Sequence, residues 1–324
     1  MKKKIMIITT GGTIAMKQNS PFGIVPNDEF VKALKGFPQL AELAEIEVHE
    51  FSNVPSPYIT PNTMKKLSDF VDQKIDFYDG FVITHGTDTL EETAYFLDLK
   101  LLTKKPVVFT AAMRSNSELG LDGPRNIVGA VRVAGTDESH SKGVLVVMND
   151  EIHSARDVVK TDSGKTSAFI TPSYGLLGIV DPDRVIYYRK SFRQEKIITH
   201  KMETNIDLIR CVSGMDDRFI NSSRQAGARA IVLEAFGRGN IPISIVPAVQ
   251  KAIEQDILVV IVSRTNTGRV LPEYGYSGGG ADLAKLGAIM GGDLKGPKMR
   301  IKLMLLFGKF NSCKKVREYL LNQI

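Results

Sequence analysis

The 324-residue chain is long enough for two ordinary domains, and 43% hydrophobic with 24% charged residues excludes a disordered or fibrous protein. Its formal charge of +6 is spread along the chain, with one tight cluster at Lys2, Lys3 and Lys4 and no aromatic–basic ladder, which argues against nucleic acid as a partner. Cys211 and Cys313 have no paired spacing and suit a reducing compartment; no apolar run nears the ~20 residues of a membrane helix, and the amino-terminal one is too short for a secretory leader.

The first predicted element is a buried strand, IMIIT, running into ITTGGTIA at residues 8–15. Gly11 and Gly12 demand a sharp turn there, and Thr13 follows at once. Two readings compete. One is a strand-to-helix turn with a capping threonine. The other is a nucleophile held at the sheet edge where open α/β folds bind ligands. GFVIT (80–84), PVVFT (106–110) and GVLVVM (143–148) are further short, β-branched strands. MKKLSDFVDQKI and LEETAYFLDLKLL read as helices between them. This alternation predicts an α/β fold whose mostly parallel sheet has helices on both faces.

The pattern weakens from about Asp181 to Ile209, where YYRKSFRQEKIITHKMETN reads as a connection. A second alternating set follows in LIRCVSG, ARAIVLEAFG, VPAVQKAIEQ, ILVVIVSR and DLAKLGAIMG, and KKVREYLLNQI reads as a final surface helix. The expected organisation is a large catalytic domain at 1–188, a connector at 189–209 and a small α/β domain at 210–324.

The richest stretch for chemistry is VITHGTDTLEETA, 82–94. Asp88 with Glu91 has the form of a capping box, yet Thr87 would stand, like Thr13, at the carboxyl end of a parallel strand. In ARDVVKTDSGKT (155–166) Lys160 reads alone as a surface lysine. SGKT there lacks the first glycine of a phosphate loop, position 159 being valine. His85 is the one histidine near a strand end; H-E-x-x-H, a Cys/His cluster and G-x-S-x-G are all missing. What remains is two threonines, an aspartate and a lysine. An alcohol becomes a competent nucleophile when a base takes its proton, and a desolvated lysine can be that base.

TTGGTIA and HGTDTLEETA together resemble the two signature motifs of the bacterial-type L-asparaginase and glutaminase family. AAMR (111–114), DGPRN (122–126), VLVVMND (144–150) and ARDVVKTD (155–162) are similar to it in the same order. The resemblance implies Thr13 as nucleophile, with Thr87, Asp88 and Lys160 as a hydrogen-bonded catalytic trio. It implies substrate contacts from Ser56, Gly86, Thr87, Asp88 and the backbone of Ala112, and from Asn240 at a neighbouring subunit's site. It also implies L-asparagine as small-molecule substrate, with a broader glutaminase-asparaginase or a non-catalytic binding protein on the same fold as the alternatives, no cofactor or metal, and a homodimer or homotetramer; the missing leader points to the cytoplasmic type. One departure stands out. The family carries a tyrosine in the mobile loop after the first motif, whereas residues 16–30 here hold Phe22 and Ile24 and no tyrosine. Tyr58, Tyr274 and Tyr276 are candidates to replace it, and Glu273 lies near the place of a small-domain acidic residue used by some secreted members.

Overall fold

The computed structural model describes residues 2–19, 23–27 and 29–323. The chain divides into two compact units, Met1–Lys196 and Ile197–Ile324. The boundary cuts the stretch expected as a connector, and the first strand of the second unit already begins at Ile206.

In the first unit β1 (Lys4–Gly11) leads to a hairpin of β2 (Met16–Asn19) and β3 (Gly23–Pro26), then α1 (Phe30–Lys35), α2 (Pro38–Leu43) and β4 (Glu45–Val54). After them come α3 (Pro61–Lys74), β5 (Gly80–Thr84), α4 (Leu90–Lys100), β6 (Val107–Thr110), α5 (Gly123–Gly135) and β7 (Val144–Met148). Shorter strands follow: β8 (Glu151–Ser154), β9 (Val159–Lys160), β10 (Phe169–Ile170), β11 (Gly178–Val180) and β12 (Val185–Tyr187). The main sheet has the order β12-β11-β8-β7-β6-β5-β1-β4. From β4 to β7 neighbouring strands are parallel; β8, β11 and β12 extend the sheet antiparallel.

The parallel strands are apolar throughout because both of their faces are covered. Ile5, Ile7, Val82, Val108, Leu145 and Val147 share one buried cluster with Ile127, Ala130, Val131 and Ala134 of α5. The alternate residues Met6, Ile8, Phe81, Ile83 and Phe109 are equally buried and face the other way. There α3 packs on α4, and α4 on β7. Thr60 starts α3 as a true cap, its hydroxyl accepting the Thr63 N–H at 3.2 Å, with Pro61 in the first turn.

Asp98 of α4 is almost wholly buried and binds the Val144 N–H at 2.8 Å. Burial raises its pKa, an effect opposed by Lys196, whose ammonium reaches both the Asp98 carboxylate and its backbone carbonyl.

The second unit holds β13 (Ile206–Arg210), α6 (Arg218–Gln225), β14 (Ala230–Ala235), α7 (Val246–Glu254), β15 (Leu258–Ser263), α8 (Gly280–Leu286), β16 (Ile289–Met290), α9 (Gly296–Phe310) and α10 (Cys313–Leu321). Its four strands form a parallel sheet in chain order. Ile231, Leu233, Val259 and Ile261 pack against Val249, Ala252 and Leu283. The carboxy-terminal α10 buries Val316 and Leu320, and it packs on α9. No described helix is long and apolar enough to cross a membrane.

Gly80, the first residue of β5, sits where α5 comes closest to the sheet. A Cβ there would lie 2.5 Å from the Ala134 carbonyl oxygen and 3.1 Å from Ile5 Cδ1. Gly80→Ala should therefore destabilise the protein by about 1–3 kcal/mol, the usual range for overpacking, and urea denaturation of both proteins measures it.

Candidate active site

Each candidate residue of the first unit, Lys160 apart, leaves the carboxyl end of a parallel strand. Ser56 follows β4, Thr13 follows β1, Gly86, Thr87 and Asp88 follow β5, and Ala112 follows β6. These strands are neighbours in the order β6-β5-β1-β4, so their ends share one edge, where open α/β sheets place their ligands.

The glycines bring these turns together. Gly11 and Gly12 have φ of 104° and 81°, the region L side chains avoid. A Cβ on Gly12 would lie 2.2 Å from Gly86 Cα, and one on Gly11 would lie 2.4 Å from the Val54 backbone. A Cβ on Gly86 would meet Ser56 Cβ at 2.6 Å. The Gly12 N–H donates to Val54 O at 3.1 Å. The loops of β4, β1 and β5 thus touch backbone to backbone, a contact only glycine permits. Thr13 opens a short 3-10 turn after Gly12 and is half-buried; among the described residues its hydroxyl has no hydrogen-bond partner.

Ser56 is buried. Its Oγ accepts the Asp88 N–H at 3.2 Å, and its carbonyl accepts the Thr89 hydroxyl at 2.9 Å. The serine hydroxyl proton therefore remains free to donate elsewhere. The expected capping box does not form. Thr89, not Asp88, occupies the cap position of α4 and makes no side-chain cap bond. The Asp88 carboxylate turns instead to Lys160, whose Nζ donates to Asp88 Oδ1 at 2.7 Å and to Thr87 Oγ1 at 2.8 Å. Lys160 is no surface lysine: 18% of its side chain is exposed, against 59% for Asp88. It is carried by β9, which pairs with β10 in a hairpin apart from the main sheet. Ser163, Gly164, Lys165 and Thr166 lie between these two strands, with Asp162 accepting the Gly164 and Lys165 N–H groups at 2.8 and 2.9 Å. That is turn chemistry, with no helix to follow as a phosphate loop requires.

Asn240 belongs to the second unit. It closes the turn after β14, bridging Phe236, and its Oδ1 accepts the Gly280 N–H at 3.3 Å. Tyr58 is exposed; Tyr274 and Tyr276 are exposed and 5.7 Å apart ring to ring. Ile24 lies in β3 and Phe22 falls outside the described residues. The residues that sequence reasoning left without a role are Thr89, Asp122 and Asn126. The last two carry the DGPRN motif, and Asp122 binds the backbone of the loop after β6, accepting Met113 N–H at 3.0 Å.

The model of the Asparaginase, N-terminal family matches residues 4–193, and that of the Glutaminase/Asparaginase C-terminal domain matches residues 205–320. The chain belongs to the asparaginase family. It is 35% identical over 318 residues to an L-asparaginase of Bacillus licheniformis, across 96% of this chain and 97% of that one. A glutaminase-asparaginase of Acinetobacter glutaminasificans is 34% identical over 342 residues, covering 99% of this chain and 100% of its own. A solved structure, of a probable cytoplasmic L-asparaginase from Campylobacter jejuni, superposes with a TM-score of 0.88 at 32% identity and 99% coverage of both chains.

His85 stands between the end of β5 and Gly86. It is fully buried, and its Nδ1–H donates to Gly86 O at 2.8 Å. Burial pushes its pKa down to about 4 from 6.5, the bond to Gly86 opposing. At neutral pH it is an uncharged strut. Its depressed pKa means that its stability contribution is complete above pH 6.5 and is lost as pH falls from 6.5 to about 4, where the unfolded chain takes a proton the folded one refuses. The span corresponds to about 3 kcal/mol. His85→Gln should lose that much less stability than the wild type between pH 7 and pH 4 in denaturant titrations; equal losses would dismiss the buried neutral imidazole.

Proposed function

We infer that this chain is an L-asparaginase, converting L-asparagine and water to L-aspartate and ammonia. The observation that carries the reading is the Lys160 amine held on Thr87 and Asp88, at the sheet edge where the Gly12–Gly86 contact also delivers Thr13. Family membership supports the chemistry and the threonine nucleophile.

The mechanism follows from these positions. Thr13 Oγ attacks the side-chain amide carbon while its proton passes toward Lys160. To accept it the amine first gives up a proton of its own, and its hydrogen bond to Asp88 is a direct route. Ammonia leaves with one added proton, and an aspartyl ester remains on Thr13. Water then attacks the ester, releasing L-aspartate and restoring the hydroxyl. Gly12 N–H and Asp88 N–H are occupied by Val54 O and Ser56 Oγ. The oxyanion therefore draws on other N–H groups of these turns. Ser56 Oγ–H, Gly86, Thr87 and Asp88 hold the amino-acid head, and the Ala112 backbone meets the amide.

The active form is a homodimer or homotetramer in which Asn240 serves a neighbouring subunit, and the protein works in the cytoplasm. A broader glutaminase-asparaginase is the second reading, favoured by the Acinetobacter relative. One extra methylene changes binding by only ~1–3 kcal/mol, so ammonia release from L-asparagine, L-glutamine and their D forms decides between the two.

Thr13→Ala should fold and lose nearly all turnover; a tenth of wild-type activity remaining would remove Thr13 as nucleophile. Lys160→Met keeps the apolar stem and should lower kcat by about 10²–10⁴-fold, the range of general-base catalysis, with little change in substrate affinity. A kcat within about threefold of wild type, well under that range, would reduce Lys160 to a structural role. Light scattering during turnover should find an oligomer, and a fully active monomer would remove the role given to Asn240.

A further inference from the structure

The loop after β6 is held from behind by a set of side chains that the catalytic scheme does not use. Asn126, 3% exposed on α5, donates from Nδ2 to Ala111 O at 2.9 Å and to Asp122 Oδ2 at 3.1 Å. Its Oδ1 accepts the Asn149 N–H at 3.0 Å, so both ends of the amide are committed. Asp122 occupies the cap position of α5 yet makes no cap bond with that helix. Its two oxygens accept the N–H groups of Met113 and Arg114, each at 3.0 Å. The Ala111 N–H points to Met148 Sδ at 3.2 Å.

Every N–H from Ala111 to Arg114 is thereby engaged, with one exception. Ala112 is 1% exposed, and among the described residues neither its N–H nor its C=O has a partner. Buried backbone groups are nearly always paired, because an unpaired one carries its full desolvation cost. Unpaired groups inside a frame this fully bonded are available to a ligand.

We propose that Asn126 and Asp122 are positioning residues for the departing amide: they lock Ala111–Arg114 so that the Ala112 carbonyl accepts an N–H of the leaving nitrogen. The proposal rests on the asparaginase reading. Its chemistry is specific to an amide. As Thr13 adds, the amide nitrogen loses its conjugation and gains a lone pair that must receive a proton before ammonia departs. A carbonyl gripping one N–H fixes the rotation of that nitrogen and holds the lone pair toward its proton donor. An ester leaving through a methoxy oxygen has no N–H to grip, so the frame gives it nothing.

The test compares L-asparagine with the β-methyl ester of L-aspartate, following L-aspartate formation from both. Both substrates yield the same ester on Thr13, and kcat/KM reports the step that forms it. Asn126→Ser removes the donor to Ala111. It should lower kcat/KM for the amide by about tenfold or more and that for the ester by less than about threefold, one misplaced group of this kind costing up to about 10²-fold. Asp122→Asn, which takes an acceptor from the same loop, should shift the amide-to-ester ratio the same way and carries the test if the serine variant fails to fold. Val133→Ala, a buried change in α5 that touches none of these groups, should leave the ratio as in the wild type. Parallel loss on both substrates, or an unchanged ratio in both Asn126→Ser and Asp122→Asn, overturns the proposal. Failure of the wild type to release ammonia from L-asparagine overturns instead the functional reading beneath it.

Discussion

The structure of the site depends on one steric fact: the backbone of Gly12 lies against the backbone of Gly86 with no room for a Cβ between them. Neither turn could approach the other with any other residue, and Gly12 also needs its positive φ. The residues that follow these glycines are Thr13 and Thr87. Their meeting at one edge of the sheet is a consequence of the contact, as is the place of Ser56 beneath Gly86. The parallel strands supply the scaffold, but a scaffold of this kind hosts many chemistries. The glycine contact narrows it to two threonine-bearing turns held against each other.

Electrostatics then divide the work. The charged partners, Lys160 and Asp88, sit at a half-open position where the carboxylate keeps contact with water. The imidazole under the same turn is stripped of solvent and stays neutral. The hydrogen bonds of the amine thus run to the carboxylate and the Thr87 hydroxyl, while His85 serves the backbone of Gly86. The amide frame of Asn126 and Asp122 is a third layer, made of groups that bond the loop after β6.

Much of this was legible in the chain itself. IMIIT, GFVIT, PVVFT and GVLVVM are strands because β-branched runs buried on both faces need no alternation, and the TGGT and HGTD motifs stand at the carboxyl ends of the first two. Lys160 was legible only through resemblance. Its strand has two residues, its partner Thr87 is 73 positions away, and nothing periodic marks a hairpin that stands off the main sheet. The Asp88–Glu91 spacing matched a helix cap, but Asp88 found a cation instead, a tertiary contact outweighing a local one. The long α9 gave no reading because apolar residues line it on all sides, from Met299 and Ile301 through Leu303 to Phe307, and no stripe separates a wet face from a dry one.

The helix that starts just beyond Asp88 runs three turns to Lys100, and near its far end Asp98 grips Lys196, the last residue of the first unit. A helix is stiff over that length, about 1.5 Å per residue of hydrogen-bonded rod. The polypeptide therefore departs from the first unit while still pinned to a strut whose other end carries the site. Releasing Lys196 from Asp98 would free the departing chain from α4.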